Sequence, residues 1–462
     1  MTAAGISFSF RPEDCVASDR SDAFHFQPRF REIAARLHAC TPEYRQRLTS
    51  VAAISDQTID PRRKPTEVFT YVEIEDVSPV TGEVRAWSSV RGALAPSRAR
   101  KVIPQDSILV STVRPVRRAV ALAPAEVVGG VCSTGFSVLV PRQDIVQPEF
   151  LWAFLRCKYG AAQLEQLGRG ASYPAVLESE LGEITVIVPR KQLRNAVVAK
   201  VQKARESRRK ARAERDKALA VFDDKLPLDF GNIRVISSSM TAKECAVEAR
   251  VDAGFFAPHY VELAATLRTT FSGVKRLDAL VKEPIHRGKQ PVYQDGVGTV
   301  PVVKTVDVQN ERIEWLRTRK VSEEFFQENP QGQLHKGDLV ITSTGIGSWG
   351  KAALCDVEKA FAAVDLVVVH VDQVVLDPLV LLALVWSKSG KVQFHQRARG
   401  STRMTHLYER DIATLLVPSL SPSQRDKVIA AMALYFKALQ EADHYGDQAI
   451  AAVEAFIEGG GR

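Results

Sequence analysis

Apolar residues along this chain follow two periodicities. Short apolar runs punctuated by Gly and Pro read as buried strands. They fall at residues 68–74, 107–113, 136–140 and 184–188 in the first half, and at 299–303, 339–342, 366–371 and 414–417 in the second. Each half opens on a helical segment (30–37; 260–267) and carries another between its last two runs (148–167; 378–397). Each half then closes on a long helical stretch. Residues 192–222 lack Pro and Gly and are rich in Ala, Arg, Lys and Glu, which predicts one continuous helix. Residues 422–458 begin with a Pro at an early helical position after Ser421. They place Val428, Met432, Tyr435, Leu439, Ala442, Gly446, Ala449, Val453 and Phe456 at alternating spacings of four and three, a heptad seam. Gly446 weakens that helix by about 1 kcal/mol relative to Ala. The first long helix has a poorer seam (Val197, Val201, Ala204, Arg208, Ala211, Arg215, Ala218, Phe222), and its small residues permit close approach.

The two halves are copies. Residues 20–37 (RSDAFHFQPRFREIAARL) and 250–267 (RVDAGFFAPHYVELAATL) agree at nine of eighteen positions, among them Arg20/Arg250, Asp22/Asp252, Phe26/Phe256, Pro28/Pro258 and Glu32/Glu262. Chance would give about one. The offset of 230 persists: 107–112 (SILVST) aligns with 338–343 at 231, 148–153 with 378–383 at 230, and Gly160 with Gly390. Arg169-Gly170 aligns with Arg399-Gly400, Val188-Pro189 with Val417-Pro418, and Gln192 with Gln424 after a small slip. A register held over about 170 residues marks a duplicated unit. The expected fold class is therefore α+β: two tandem similar domains, each followed by a long helix. The domains read as 20–190 and 250–418, the helices as 191–225 and 419–458. An N-terminal extension (1–19), a linker (226–249) and a short tail (459–462) complete the chain.

Charge pairs the helices. Residues 190–217 hold twelve Lys/Arg against three Asp/Glu, whereas 424–458 hold three against six. Opposite net charge on compatible seams predicts an antiparallel coiled coil, with the domains in pseudo-twofold relation. A helix of this length spans about 46 Å, somewhat more than one DNA turn of about 34 Å. Such a pair is suited to act as a ruler between two half-sites.

The chain has 462 residues, 45% hydrophobic and 25% charged, which fits two or three soluble domains. Its net charge of +8 favours a polyanionic partner. Six scattered cysteines without a C-x-x-C pair argue against a zinc ribbon, and no export signal opens the sequence. The longest apolar stretch, 376–386, is broken by Asp377 and Pro378 and is too short to span a bilayer. A reducing, cytoplasmic setting is expected.

Catalytic motifs fail on inspection. Gly345, Gly350 and Lys351 fit G-x-x-x-x-G-K, but Ala352 replaces the Ser/Thr that would hold magnesium, and strand-like residues follow where a phosphate-capping helix would be needed. An Asn/Asp-Pro-Pro-aromatic methyltransferase loop is missing, the nine histidines are scattered, and His395, His406 and His444 read as surface or packing residues. No catalytic residue, metal ligand or bound cofactor is expected. DNA contact is better supported. Arg114, Arg117 and Arg118 follow a strand in the first copy, and Trp349 and Lys351 occupy the matching turn in the second. Arg287 and Lys289 flank a glycine, Arg169 and Arg399 recur beside glycine, Ser172 and Thr402 follow, and Arg403 adds a cation. Lys and Arg neutralise phosphates, and Arg reads guanine through two hydrogen bonds. Residues shared by both copies suit scaffold or backbone contacts, while base readers should differ between them. From these residues alone, an autonomous DNA-processing enzyme such as a nuclease, or a protein-interaction scaffold, stays open.

In order and in duplicate, these features resemble the specificity subunit of a type I restriction–modification system. Each copy has an Arg-x-Asp-Ala…Phe-x-Pro-x-aromatic opening, then a strand, a Gly170-Ala-Ser172 or Gly400-Ser-Thr402 element, a Val-Pro and a Gln-bearing helix. The resemblance covers residues 20–458. It implies a non-catalytic DNA-binding subunit that reads a bipartite target, one half per target recognition domain. The implied partners are double-stranded DNA and two modification subunits that methylate adenine with S-adenosylmethionine. A restriction/translocase subunit can join them, and ATP and Mg would also sit on partners. The N-terminal extension and the basic first helix depart from that pattern.

Overall fold

Proline opens the first helix of each half, Pro28–Ala39 and Pro258–Thr270, where its missing N–H costs nothing and its fixed φ suits the first turn. The computed structural model describes residues 22–170, 172–224, 226, 240–248, 250–294, 296–309, 312–315, 318–345, 349–400 and 405–461. The N-terminal extension and Arg20 lie outside them, as does most of the linker, whose end forms a short helix, Ala242–Glu248.

The chain divides into two compact units, and the cut runs through both long helices. The first unit takes residues up to Arg208 together with those from Leu439 onward; the second is 209–438. In the first unit, one four-stranded sheet has the order Ala52–Ile54, Phe136–Pro141, Ile108–Ser111, Val120–Leu122, antiparallel throughout. Another has the order Ser88–Arg91, Val68–Val72, Val131–Ser133, Ala99–Val102, with its central pair parallel. A two-stranded ribbon joins Arg45–Arg47 to Thr185–Ile187.

The second unit has the same plan. Its sheets run His286–Arg287, Leu366–Val369, Leu339–Thr342, Ala352–Leu354, and Lys320–Val321, Val300–Val303, Lys359–Ala362, Gln333–His335, with the pair 300–303/359–362 parallel. Its ribbon joins Val274–Arg276 to Leu416–Pro418. Register matches as well: Leu109 faces Val138 in one unit and Val340 faces Val368 in the other. The continuous apolar runs have the composition they do because both faces of these central strands are covered; Ile108–Ser111 and Leu339–Thr342 are buried at every residue.

Duplication extends to side-chain hydrogen bonds. Gln163 donates to Thr185 O and accepts from Thr185 N, and Gln393 does the same with Leu416. Gln166 donates to His25 O, and Gln396 to Phe255 O. Each amide ties a helix to the strand or the opening turn of its own unit.

The segments expected as single helices at 148–167 and 378–397 are each two. Pro148–Arg156 and Lys158–Gln166 meet at Cys157, and Pro378–Trp386 and Lys388–Arg397 meet at Ser387, both junctions being extended. Periodicity does not reveal this break, because no Pro marks it. The signal is Gly160 and Gly390, whose Cα atoms pack onto the backbone of the preceding helix at Phe154 and Leu384. Gly390→Ala would drive a methyl into the Leu384 carbonyl. It is expected to destabilise the second unit by about 1–3 kcal/mol in urea unfolding.

The long helices are Lys191–Asp223 and Pro422–Glu458. Within the first unit they pack antiparallel: Lys200 Nζ donates to Gln448 Oε1 at 3.0 Å, Lys203 lies over the Tyr445 ring, and Arg208 pairs with Asp443. Val197 and Val201 share a core with Ala449, Val453 and Ile457. In the second unit Tyr435 meets Trp386 edge to face. The junction helices are capped in a crossed manner. The Lys158 N–H, which opens the second helix of the first copy, donates to Glu454 of the second long helix. The Lys388 and Ser389 N–H groups donate to Asp223 of the first long helix. Each copy is thus completed by the end of the other copy's helix, and the carboxylates sit where the helix dipole favours them. Among the described residues, no helix is long and apolar enough to cross a membrane.

Candidate nucleic-acid interface

Two loops meet at one place in each unit. In the first, the turn after Ile108–Ser111 docks on the loop after the 158–166 helix: Arg114 N donates to Pro174 O at 2.7 Å, Val176 N to Thr112 O at 2.8 Å, and Ala175 bridges both Val113 and Arg169. In the second, Leu407 N donates to Ser343 O at 2.9 Å, and His406 bridges both Thr344 and Arg399. The offsets are again 230 or 231, so the candidate residues of each copy come together at the same position of the fold.

In the first unit this surface is cationic and aromatic. Arg114 and Arg118 both hold positive φ (50° and 58°) around the turn Pro115–Arg117. This conformation is uncommon for a non-glycine residue and lifts the turn into a tight, projecting loop. Arg117 and Arg118 are exposed. Arg114 stacks over the Tyr173 ring at 4.5 Å, and Tyr173 is 71% exposed. Ser172 is exposed beside it. A large exposed aromatic backed by a guanidinium offers a flat face and positive charge together, which suits sugar, base edge or phosphate. Sequence reasoning missed Tyr173; its signal was an aromatic next to the Gly-Ala-Ser element. The turn is propped from below by Arg156, which is buried and donates to the carbonyls of Arg118, Pro79 and Val80. Burial lowers the Arg156 pKa to about 10. Trp386 stands at the matching position of the second copy and donates to Ala352 O at 2.9 Å, a strand carbonyl whose equivalent in the first copy, Val120 O, accepts from Trp152.

Arg169 and Arg399, the repeated arginines, are held within their units. Arg169 pairs with Glu180, and Arg399 makes a two-pronged contact with the buried Asp411. The Asp411 hydrogen bonds hold the Arg399 guanidinium above its usual range. Arg250 reaches the same carboxylate and also clasps Asp252. Burial opposes ionisation of Asp252, yet the Arg250 hydrogen bond and charge outweigh it and lower its pKa. In the second unit Arg250 and Arg399 thus fasten the domain opening and the loop to one acid, and in the first Arg169 makes the matching loop contact with Glu180, a scaffold task.

The second unit's surface differs. Arg287 donates to Ser343 Oγ at 2.9 Å and stacks over Tyr408 at 5.6 Å. Arg410 also lies over Tyr408, at 5.6 Å. Lys289 is exposed. Trp349 meets His395 edge to face, and the Lys351 N–H is held by Thr342 Oγ1 at 2.9 Å. Strand Ala352–Leu354 begins directly after Lys351, so the glycine-flanked turn leads into a sheet and not into a phosphate-binding helix. Thr402 and Arg403 lie outside the described residues.

No family model matches the chain. No curated protein matches it either. Among solved structures, it is similar to a chain from a type I R-M system studied for complex assembly and conformational transition (20% identity, 89% of this chain and 97% of that one, TM-score 0.34). It is also similar to the HsdS subunit from Thermoanaerobacter tengcongensis (19%, 91% and 97%, TM-score 0.34). A third is the type I restriction–modification S subunit from M. genitalium (12%, 90% and 94%, TM-score 0.36).

Proposed function

We propose that this chain is a DNA sequence-recognition subunit of the type I restriction–modification kind. It binds a bipartite duplex target, one half per domain, and recruits adenine-methylating modification subunits. One observation carries the reading: two copies of one fold present a loop pair at the same place, with the shared arginines turned inward to the scaffold and different side chains turned outward. Conserved framework with divergent surface is what two readers of different sequences require. On this reading S-adenosylmethionine, ATP and Mg belong to partner subunits in the cytoplasm, a restriction/translocase subunit can join, and this chain itself turns nothing over. The purified chain, alone or with its methyltransferase, is expected to bind duplex DNA with affinity falling steeply as salt rises, without hydrolysing ATP or DNA. Hydrolysis by the isolated chain would count for an enzyme instead.

The long helices, on the same reading, set the gap between half-sites. Deleting one heptad from each removes about 10 Å of helix, roughly three base pairs. The recognised spacer is expected to shorten by about that much with both half-sites unchanged, as read from the positions of methylated adenines. An unaltered spacer in a folded complex would remove the ruler from the account.

A further inference from the structure

The second unit contains a histidine cluster that DNA reading does not use. His286 lies on the edge strand His286–Arg287, His370 just beyond Leu366–Val369, and His335 and Asp338 flank the turn between Gln333–His335 and Leu339–Thr342. The Nε2 atoms of His286 and His370 face each other at 3.2 Å. On the far side of each ring, Nδ1 is already engaged: His286 Nδ1 lies 3.1 Å from Arg287 O, and His370 Nδ1 lies 2.9 Å from Asp338 Oδ2. Both of those partners are acceptors, so each Nδ1 is placed to donate, which leaves the two Nε2 atoms facing one another where they can share a proton or a metal ion.

Metal-bound histidines are held in just this way, with the second nitrogen donating to a carboxylate or a backbone carbonyl. Tetrahedral Zn²⁺ with bonds of about 2.0–2.1 Å separates its nitrogen ligands by about 3.3 Å. Ligand atoms of His335, Asp338 and His370 also lie within 4.8 Å of one another.

The duplication supplies an internal control. At the same offset, the first copy has Ser55, Pro104, Ser107 and Val140 where the second has His286, His335, Asp338 and His370. The fold therefore does not require the cluster, which only one copy of the shared scaffold carries.

We propose that this sheet edge is a transition-metal site of the Zn²⁺ class, in which His286 and His370 supply their Nε2 atoms. Asp338 orients His370 from behind, and His335 stands beside it on the exposed side. Imidazole nitrogen suits Zn²⁺, Ni²⁺ and Cu²⁺ over Ca²⁺ or Mg²⁺. A bound ion would pin the two-residue edge strand to the sheet next to Arg287. The site stands whether or not the chain reads DNA, because its test measures metal.

The full-length chain, stripped with chelator and dialysed against Zn²⁺, is expected to retain about one equivalent by elemental analysis. Loaded with Co²⁺ in its place, it should show the visible absorption of low-coordinate, imidazole-ligated metal. His286→Gln and His370→Gln should each lose both signals while keeping the wild-type circular dichroism, and Asp338→Asn should weaken binding about 10- to 100-fold. Should His370→Gln fail to fold, His286→Gln on the two-residue, half-buried edge strand carries the test alone. Metal content in wild type no higher than in the His286→Gln variant would overturn the proposal and leave the two rings sharing a proton.

Discussion

Exchanging Arg114 and Arg118 for Asn and Arg117 for Gln together is expected to weaken duplex binding about 100-fold or more at moderate salt. Asn tolerates the positive φ that positions 114 and 118 demand, so the turn keeps its shape while three charges disappear. A guanidinium that reads guanine contributes about 1–3 kcal/mol, and each phosphate contact removed lowers the salt slope by about one. The slope of log affinity against log salt should therefore fall by up to about three. Selectivity should relax in one half of the target and hold in the other. Fluorescence anisotropy over a salt series checks the first point, and binding to oligonucleotides altered in either half checks the second. Unchanged affinity in a variant with native circular dichroism would show that DNA passes elsewhere.

The second large effect concerns stability. Arg208 occupies a seam position of the first long helix with its side chain only 6% exposed, and it bridges Glu83 (2.7 Å) and Asp443. Cutting it to alanine removes the buried cation that Glu83 and Asp443, both partly buried, share. Breaking a buried ion network by removing one partner costs about 3–5 kcal/mol. Arg208→Ala is expected to lower the stability of the first unit by that amount in urea unfolding. Neutralising all three positions (Arg208→Met, Glu83→Leu, Asp443→Leu) should recover most of the loss, since apolar replacements of buried ion networks are often neutral. A loss below about 1 kcal/mol for Arg208→Ala would mean that water reaches the pair.

Much of this architecture was legible because it is written twice. Pro422 after Ser421 and the heptad seam marked the second long helix, Pro422–Glu458, and the constant offset implied two matching domains. What stayed hidden depends on tertiary contact. Short strands such as Ser88–Arg91 and Ala99–Val102 carry charged or polar residues and no periodic signature, so only their sheet partners define them. The helix breaks at Cys157 and Ser387 need the neighbouring backbone to explain them.

At the candidate interface the sequence named residues on two loops of each copy, and those loops come together. It could not separate Arg399, committed to Asp411, from Arg118, exposed on the turn, because the two differ only in what lies across the fold. His286, His335 and His370, far apart in the sequence, are likewise brought together only by the sheet.

The central claim is that two divergent copies of one reader each recognise their own DNA half-site. Selection of bound duplexes from a random library, using the chain with its methyltransferase partner, tests it most directly. The account predicts two short specified blocks separated by a fixed unspecified gap, with changes at Arg114, Arg117 and Arg118 blurring one block and changes at Arg287 and Lys289 the other. A single uninterrupted motif, or one block that responds to both sets of changes, would contradict it.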